Sequence, residues 1–158
     1  MKKILSLIVL LVAFASCEED VKFNTPAVQA FKDNEVWRAT NFSATRSASN
    51  NSLTINATNG FETLTLRTIS VNPGSYNLGL DELNKATFRL EADGIIRTYE
   101  TGTDEDEGLI IISNRPRDTD LQRGFISGEF YFNATNETGQ RVSFFEGNFY
   151  KVPIQVIP

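Results

Sequence analysis

With no histidine and a single cysteine among 158 residues, this chain leaves carboxylates to carry any general acid–base chemistry. Two acids held about 5–10 Å apart can cleave a glycosidic bond, one protonating the leaving oxygen and the other acting as base or nucleophile. Asp118 and Asp120 are candidates for such a pair, since alternate positions of an extended segment share a face. Glu129 and Glu146 are a second pair. Carboxylates on the solvent faces of strands are common, however, and no catalytic residue is assigned. The missing imidazole excludes Ser-His-Asp and Cys-His nucleophiles and a proton shuttle near neutral pH. Zinc and copper would find neither imidazole nor a thiolate set. The acidic run Asp104-Glu105-Asp106-Glu107 does not fit an EF-hand, which needs Gly at position 6 and Glu at position 12. Gly108 falls at position 5 and Arg115 at position 12. The run reads as a solvated hairpin tip, and neither a metal nor a cofactor is expected.

Recognition chemistry has better candidates. In Phe130-Tyr131-Phe132 the two-residue period sends the phenylalanines to one face and the tyrosine to the other. Phe144-Phe145 and Phe149-Tyr150 likewise put rings on both faces, with Gly147 between them marking a bulge. One face must be core, so Tyr131, Phe145 and Tyr150 are the ligand-binding candidates. Such rings stack on sugars or fill a partner's pocket, unless a second sheet or an edge loop covers them. Trp37 reads as a core residue beside the opening hairpin. The triplets at Asn41, Asn50, Asn56, Asn133 and Asn136 fit the glycosylation pattern. They read as polar strand and turn residues.

The elements that must position these groups are strands. From Ala27 onward the apolar period is two. Val28–Phe31 and Glu35–Ala39 flank the turn Lys32-Asp33-Asn34, and Asp93-Gly94 joins Ala86–Leu90 to Ile95–Tyr99. Ser52–Ala57 turns at Asn59-Gly60 into Phe61–Ile69, where Phe61 breaks the alternation of Leu64 and Leu66. After Pro73-Gly74 comes Tyr76–Leu80; Asp81–Asn84 has room for one helical turn. Gly108–Ile112 is apolar on both faces, as a central strand should be. Gly124–Asn133 and Arg141–Val152 are long and aromatic. The pattern predicts an all-β domain, an antiparallel β-sandwich or flattened β-barrel of about 8–10 strands.

Residues 1–16 read as a leader rather than as part of that domain. Lys2 and Lys3 precede an apolar run from Ile4 to Phe14, then Ala15, Ser16 and Cys17. The run is about 11 residues, short of the roughly 20 that a membrane-spanning helix needs. The segment resembles a bacterial lipobox, with Phe14 where that pattern usually carries Leu, Val or Ile. The resemblance implies cleavage before Cys17 and acylation of its sulfur. Glu18, Glu19 and Asp20 are similar to the acidic export signal of surface-exposed lipoproteins in Bacteroidota. Residues 17–26 would then be an acylated tether, and 27–158 a single domain. The implied location is the outer membrane, at the cell surface or facing the periplasm, with the membrane as partner through Cys17.

Composition supports that division. About 140 residues follow the leader, enough to bury roughly two-thirds of their unfolded surface as one domain. An acylated Cys17 leaves no cysteine for disulfides. Loss of Lys2 and Lys3 takes the formal charge from −5 to about −7. An acidic body without a basic stripe argues against a nucleic-acid partner.

Three segments resemble a family of small flavobacterial-type lipoproteins of the Bacteroidota. They are the opening Pro26–Ala39, the glycine-turn tyrosine of Gly74-Ser-Tyr76, and the paired Gly-x-Phe strands Ile126–Phe132 and Val142–Phe149. The resemblance implies a β-rich domain of unknown function and supplies no catalytic residues. The expectation is a non-enzymatic binding or accessory module, with a glycan or an outer-membrane protein as partner.

Overall fold

A computed structural model describes residues 27–105 and 107–158; the leader, Cys17, the tether with Glu18, Glu19 and Asp20, and Asp106 lie outside the described residues. Turn chemistry sets the first pairings. Asp33-Asn34, between β1 (Ala27–Lys32) and β2 (Glu35–Arg38), has φ of 49° and 71°. Asp93-Gly94, between β7 (Lys85–Ala92) and β8 (Ile95–Glu100), has φ of 52° and 76°. Two positive values in a two-residue loop match the right-handed twist of the flanking strands. A third tight loop, Gly60-Phe61, joins β4 (Leu53–Asn59) to β5 (Glu62–Thr68). Phe61 is therefore a turn residue and 73% exposed, which is why it broke the alternation of the strand it was expected to begin.

The remaining strands are β3 (Asn41–Ser47), β6 (Gly74–Leu78), β9 (Gly108–Ile112), β10 (Phe125–Thr135) and β11 (Arg141–Ile157). No helical turn forms at Asp81–Asn84. Asp81 sits at φ 61°, and the Asn84 amide bridges strands by accepting from Ile69 N–H and donating to the Asn77 carbonyl.

All eleven strands of the described residues belong to one sheet that curls on itself. β11 makes this possible. Its first part pairs antiparallel with β10 and β1, and its last residues, Ile154–Ile157, pair parallel with β3. The result is a front layer in the order β2-β1-β11-β10-β9-β6 and a back layer β3-β4-β5-β7-β8. β8 meets β10 again through Thr135 and Glu100. The fold is the flattened barrel expected, with eleven strands and with the one parallel pairing, β11–β3, among otherwise antiparallel neighbours.

Phe144 of β11 lies at the centre of the core. Its ring stacks on Phe132 at 4.8 Å, tilts against Phe88 of the back layer at 5.3 Å, and takes the Trp37 edge at 5.9 Å. Such contacts contribute about 0.5–1.5 kcal/mol each beyond the burial of apolar area. Trp37 is buried, and its indole N–H donates to Glu62 Oε2 at 2.7 Å; Lys32 pairs with the same carboxylate.

The two Gly-x-Phe segments interlock in this core. In the β10–β11 register Gly128 faces Phe149, and Phe130 faces Gly147. Each glycine leaves the space that the opposite ring fills. A Cβ at Gly147 would lie 2.5 Å from Phe130 Cε2, and one at Gly128 would meet the Phe149 ring. Two left-handed residues, Glu146 at φ 48° and Lys151 at φ 46°, absorb the register shifts on either side. The bulge suggested by Gly147 thus falls one residue earlier, at Glu146.

Candidate functional site

Because Phe130, Phe132, Phe144 and Phe149 point inward, the residues between them face away from the core. Register then assembles side chains from six strands into one row across the front layer. Arg38 pairs with Gln29, Gln29 with Asn148, Asn148 with Glu129, Glu129 with Ile111, and Ile111 with Ser75. Arg38, Glu129 and Ser75 are exposed, and Gln29, Asn148 and Ile111 are half-buried. This row forms the floor of a groove of about 1070 Å³ that reaches both edge strands, β2 and β6. Gly128 and Phe149 also contribute to its lining.

One wall is the turn before β10, whose Ser113, Asn114, Arg115, Arg117 and Asp118 line the groove. Ser127 docks this wall onto the sheet. Its N–H donates to Thr119 Oγ1 at 3.1 Å, its carbonyl accepts from the same hydroxyl at 3.1 Å, and its own hydroxyl donates to the Asp118 carbonyl. The Asp118 carboxylate faces Arg115 at 3.8 Å and Arg117 at 3.7 Å.

A second outward row lies beside the polar one, two residues further along each strand and three on β11, where the Glu146 bulge adds one. Val36, Phe31 and Phe145 are in register across β2, β1 and β11, and Tyr131, Leu109 and Asn77 across β10, β9 and β6. Phe31 and Phe145 stack with ring centres 5.4 Å apart and planes within 8°.

The three aromatic candidates therefore share this front face but not one spot. Tyr150 lines the groove, with the Lys151 ammonium 5.3 Å from its ring centre. Tyr131 is 52% exposed in the aromatic row, and Phe145 is half-buried against Phe31. Among the described residues, no second sheet covers them. Trp37 is a core residue, as its position beside the hairpin suggested.

The carboxylate candidates have other employment. Asp118 and Asp120 sit on turns, not on alternate positions of one strand. Asp120 Oδ1 accepts from the Gln122 and Arg123 N–H groups at 3.0 Å, holding the turn that its backbone closes with Phe125. Glu129 is in the groove, whereas Glu146 occupies the bulge outside its lining. The acidic run is only partly a solvated tip. Glu107 is buried, and its carboxylate accepts from the N–H groups of Gly102, Thr103 and Asp104 and from the Thr103 hydroxyl. Three backbone N–H groups and one hydroxyl of the loop thus converge on this carboxylate. Asp104 is exposed and pairs with Arg141 at 3.0 Å. Among the described residues, no three carboxylates gather where they could hold a metal ion.

Four of the five asparagines in sequons serve structure. Asn56 accepts from Thr65 across β4–β5, Asn133 from Ser143 across β10–β11, and Asn50 and Asn136 cap turns.

Gln29, Arg38, Ser75, Ile111 and Asn148 were not singled out from sequence. Their only signal is phase: each lies out of step with inward core positions. Nothing local says that residues as distant as 29 and 148 stand side by side.

A family model described as a domain of unknown function, DUF6252, matches residues 24–153. No curated protein and no solved structure matches the chain.

Proposed function

Taking as premise that the chain belongs to the DUF6252 family, we propose that it is a non-catalytic, lipid-anchored module that binds glycans on the front face of its sheet. The observation that carries this reading is the in-register row Arg38-Gln29-Asn148-Glu129-Ile111-Ser75, laid beside the aromatic row of Phe145 and Tyr131. Amide, carboxylate, hydroxyl and guanidinium groups together offer both donors and acceptors, which is what a polyol requires. The neighbouring rings and Tyr150 supply apolar faces for sugar C–H groups.

In this reading Cys17 is acylated and holds the domain at the outer membrane, displayed at the cell surface by Glu18, Glu19 and Asp20. At no more than about 3.3–3.6 Å per residue, the tether of residues 17–26 keeps the domain within some 30 Å of the lipid. Stable anchoring takes more than one acyl chain, as a diacylated or triacylated cysteine provides.

A glycan array probed with the purified protein tests the binding claim. Binding that is lost in Glu129→Ala and Asn148→Ala, with unchanged melting, supports it. Hydrolysis of a polymer that is abolished by Glu129→Gln refutes the non-catalytic part. For the anchor, Cys17→Ala should move the protein from the membrane to the soluble fraction, and an unchanged membrane fraction refutes acylation.

A further inference from the structure

We infer that the ligand is a linear, uncharged, extended glycan that crosses the strands at right angles, about one sugar unit per strand. This rests on the glycan-binding reading above and deepens it. Neighbouring strands stand about 4.7–4.9 Å apart, a repeat close to the length of one pyranose in an extended chain. Six in-register residues therefore present a polar or apolar contact at each step, over about 24 Å from Arg38 to Ser75.

The sequence of contacts along the row suits a repeating polyol. Gln29 and Asn148 each offer a donor and an acceptor, Glu129 accepts only, and Arg38 donates only. Ile111 interrupts the polar series with an apolar contact for a ring face, and Ser75 ends it with a hydroxyl. The groove also reaches the edge strands β2 and β6, so among the described residues no further strand closes either end. That form admits the interior of a chain, where a closed pocket would select a terminus. Its volume of about 1070 Å³ slightly exceeds the roughly 300–1,000 Å³ usual for a small-molecule pocket.

Charge and twist narrow the class further. Asp118 faces both Arg115 and Arg117, and Glu129 offsets Arg38, so the lining has no strong excess of either sign. Sheet twist turns each successive contact by roughly 20–25° about the row. An extended, ribbon-like chain follows such a path, and a tightly coiled glucan does not.

The test is calorimetric titration of the detergent-solubilised full chain with β-1,4-linked gluco-, manno- and xylo-oligosaccharides of two to six units, and with α-1,4-linked glucans of the same lengths. For at least one β-1,4 series, affinity should rise about tenfold between two and six units. The α-1,4 series should show no such rise. Arg38→Ala, at one end of the row, should weaken six-unit binding, which needs every contact of the row. Length-independent binding, a preference for the α-1,4 series, or an unaltered Arg38→Ala variant overturns the crossing geometry and leaves glycan binding standing. Absence of binding both to these probes and on the glycan array overturns the underlying reading as well.

Discussion

Replacing Gly147 by alanine adds one methyl group where the structure leaves none of the space it needs. The new Cβ would lie 2.5 and 2.6 Å from Phe130 Cε2 and Cζ, and 2.6 Å from the Phe130 carbonyl oxygen. Ordinary contact begins about 0.8 Å further out, so ring and backbone must both give way. Gly147 is not at positive φ, so alanine meets no conformational penalty. Were there room, a shrunken unfolded ensemble would make the change stabilising by about 0.4–1 kcal/mol. Overpacking a dense core costs about 1–3 kcal/mol. The difference is a net loss of roughly 1–2 kcal/mol, which for a domain of this size lowers Tm by about 4–8 °C. Urea unfolding read through Trp37 measures it directly, because the single tryptophan is buried against Phe144. Phe130→Leu withdraws part of the obstructing ring, so Gly147→Ala with Phe130→Leu should be about 1 kcal/mol less damaging than the sum of the singles. A Gly147→Ala protein as stable as the parent refutes the interlock.

Glu62→Gln leaves Lys32 facing a neutral amide at a site where both side chains are mostly covered, and should lower unfolding stability by about 1–3 kcal/mol, with Lys32→Met restoring much of it. Glu107→Gln weakens the charge-assisted bonds from Gly102, Thr103 and Asp104; hydrogen exchange should show those amides opening faster, with a stability loss of about 1–2 kcal/mol. Phe31→Ala removes the ring stacked on Phe145, and by urea unfolding should cost at least the stacking contribution of about 0.5–1.5 kcal/mol.

Local chemistry in the sequence forecast the parts of this fold that local chemistry decides. Asp33-Asn34 and Asp93-Gly94 are turns because few other residue pairs tolerate two positive φ values, and such pairs are visible in a string of letters. The inward set Phe130, Phe132 and Phe144 follows from a period of two. Strand β3 was missed because its pattern is faint: Ala44 is fully buried, but the flanking Ser43 and Thr45 are small and polar. The polar row was hidden for a different reason. Its alignment depends on Glu146 and Lys151 adopting left-handed conformations that neither residue type advertises. Without those two bulges Asn148 would not stand between Gln29 and Glu129. The burial of Glu107 was likewise obscured by the acidic company it keeps.

The position of β11 has a consequence for the order in which the molecule comes together. Residues 141–157 supply the central strand of the front layer and the edge that joins the back layer at β3. The contact that seats the opening turn, Ser143 N–H to Asp33 Oδ1, spans 110 residues. The front layer is incomplete, and unjoined to β3, until that late segment arrives, and so many distant pairings make for slow assembly. While β11 is absent, no strand links β1 to β3, and the two layers meet only where β8 pairs with β10.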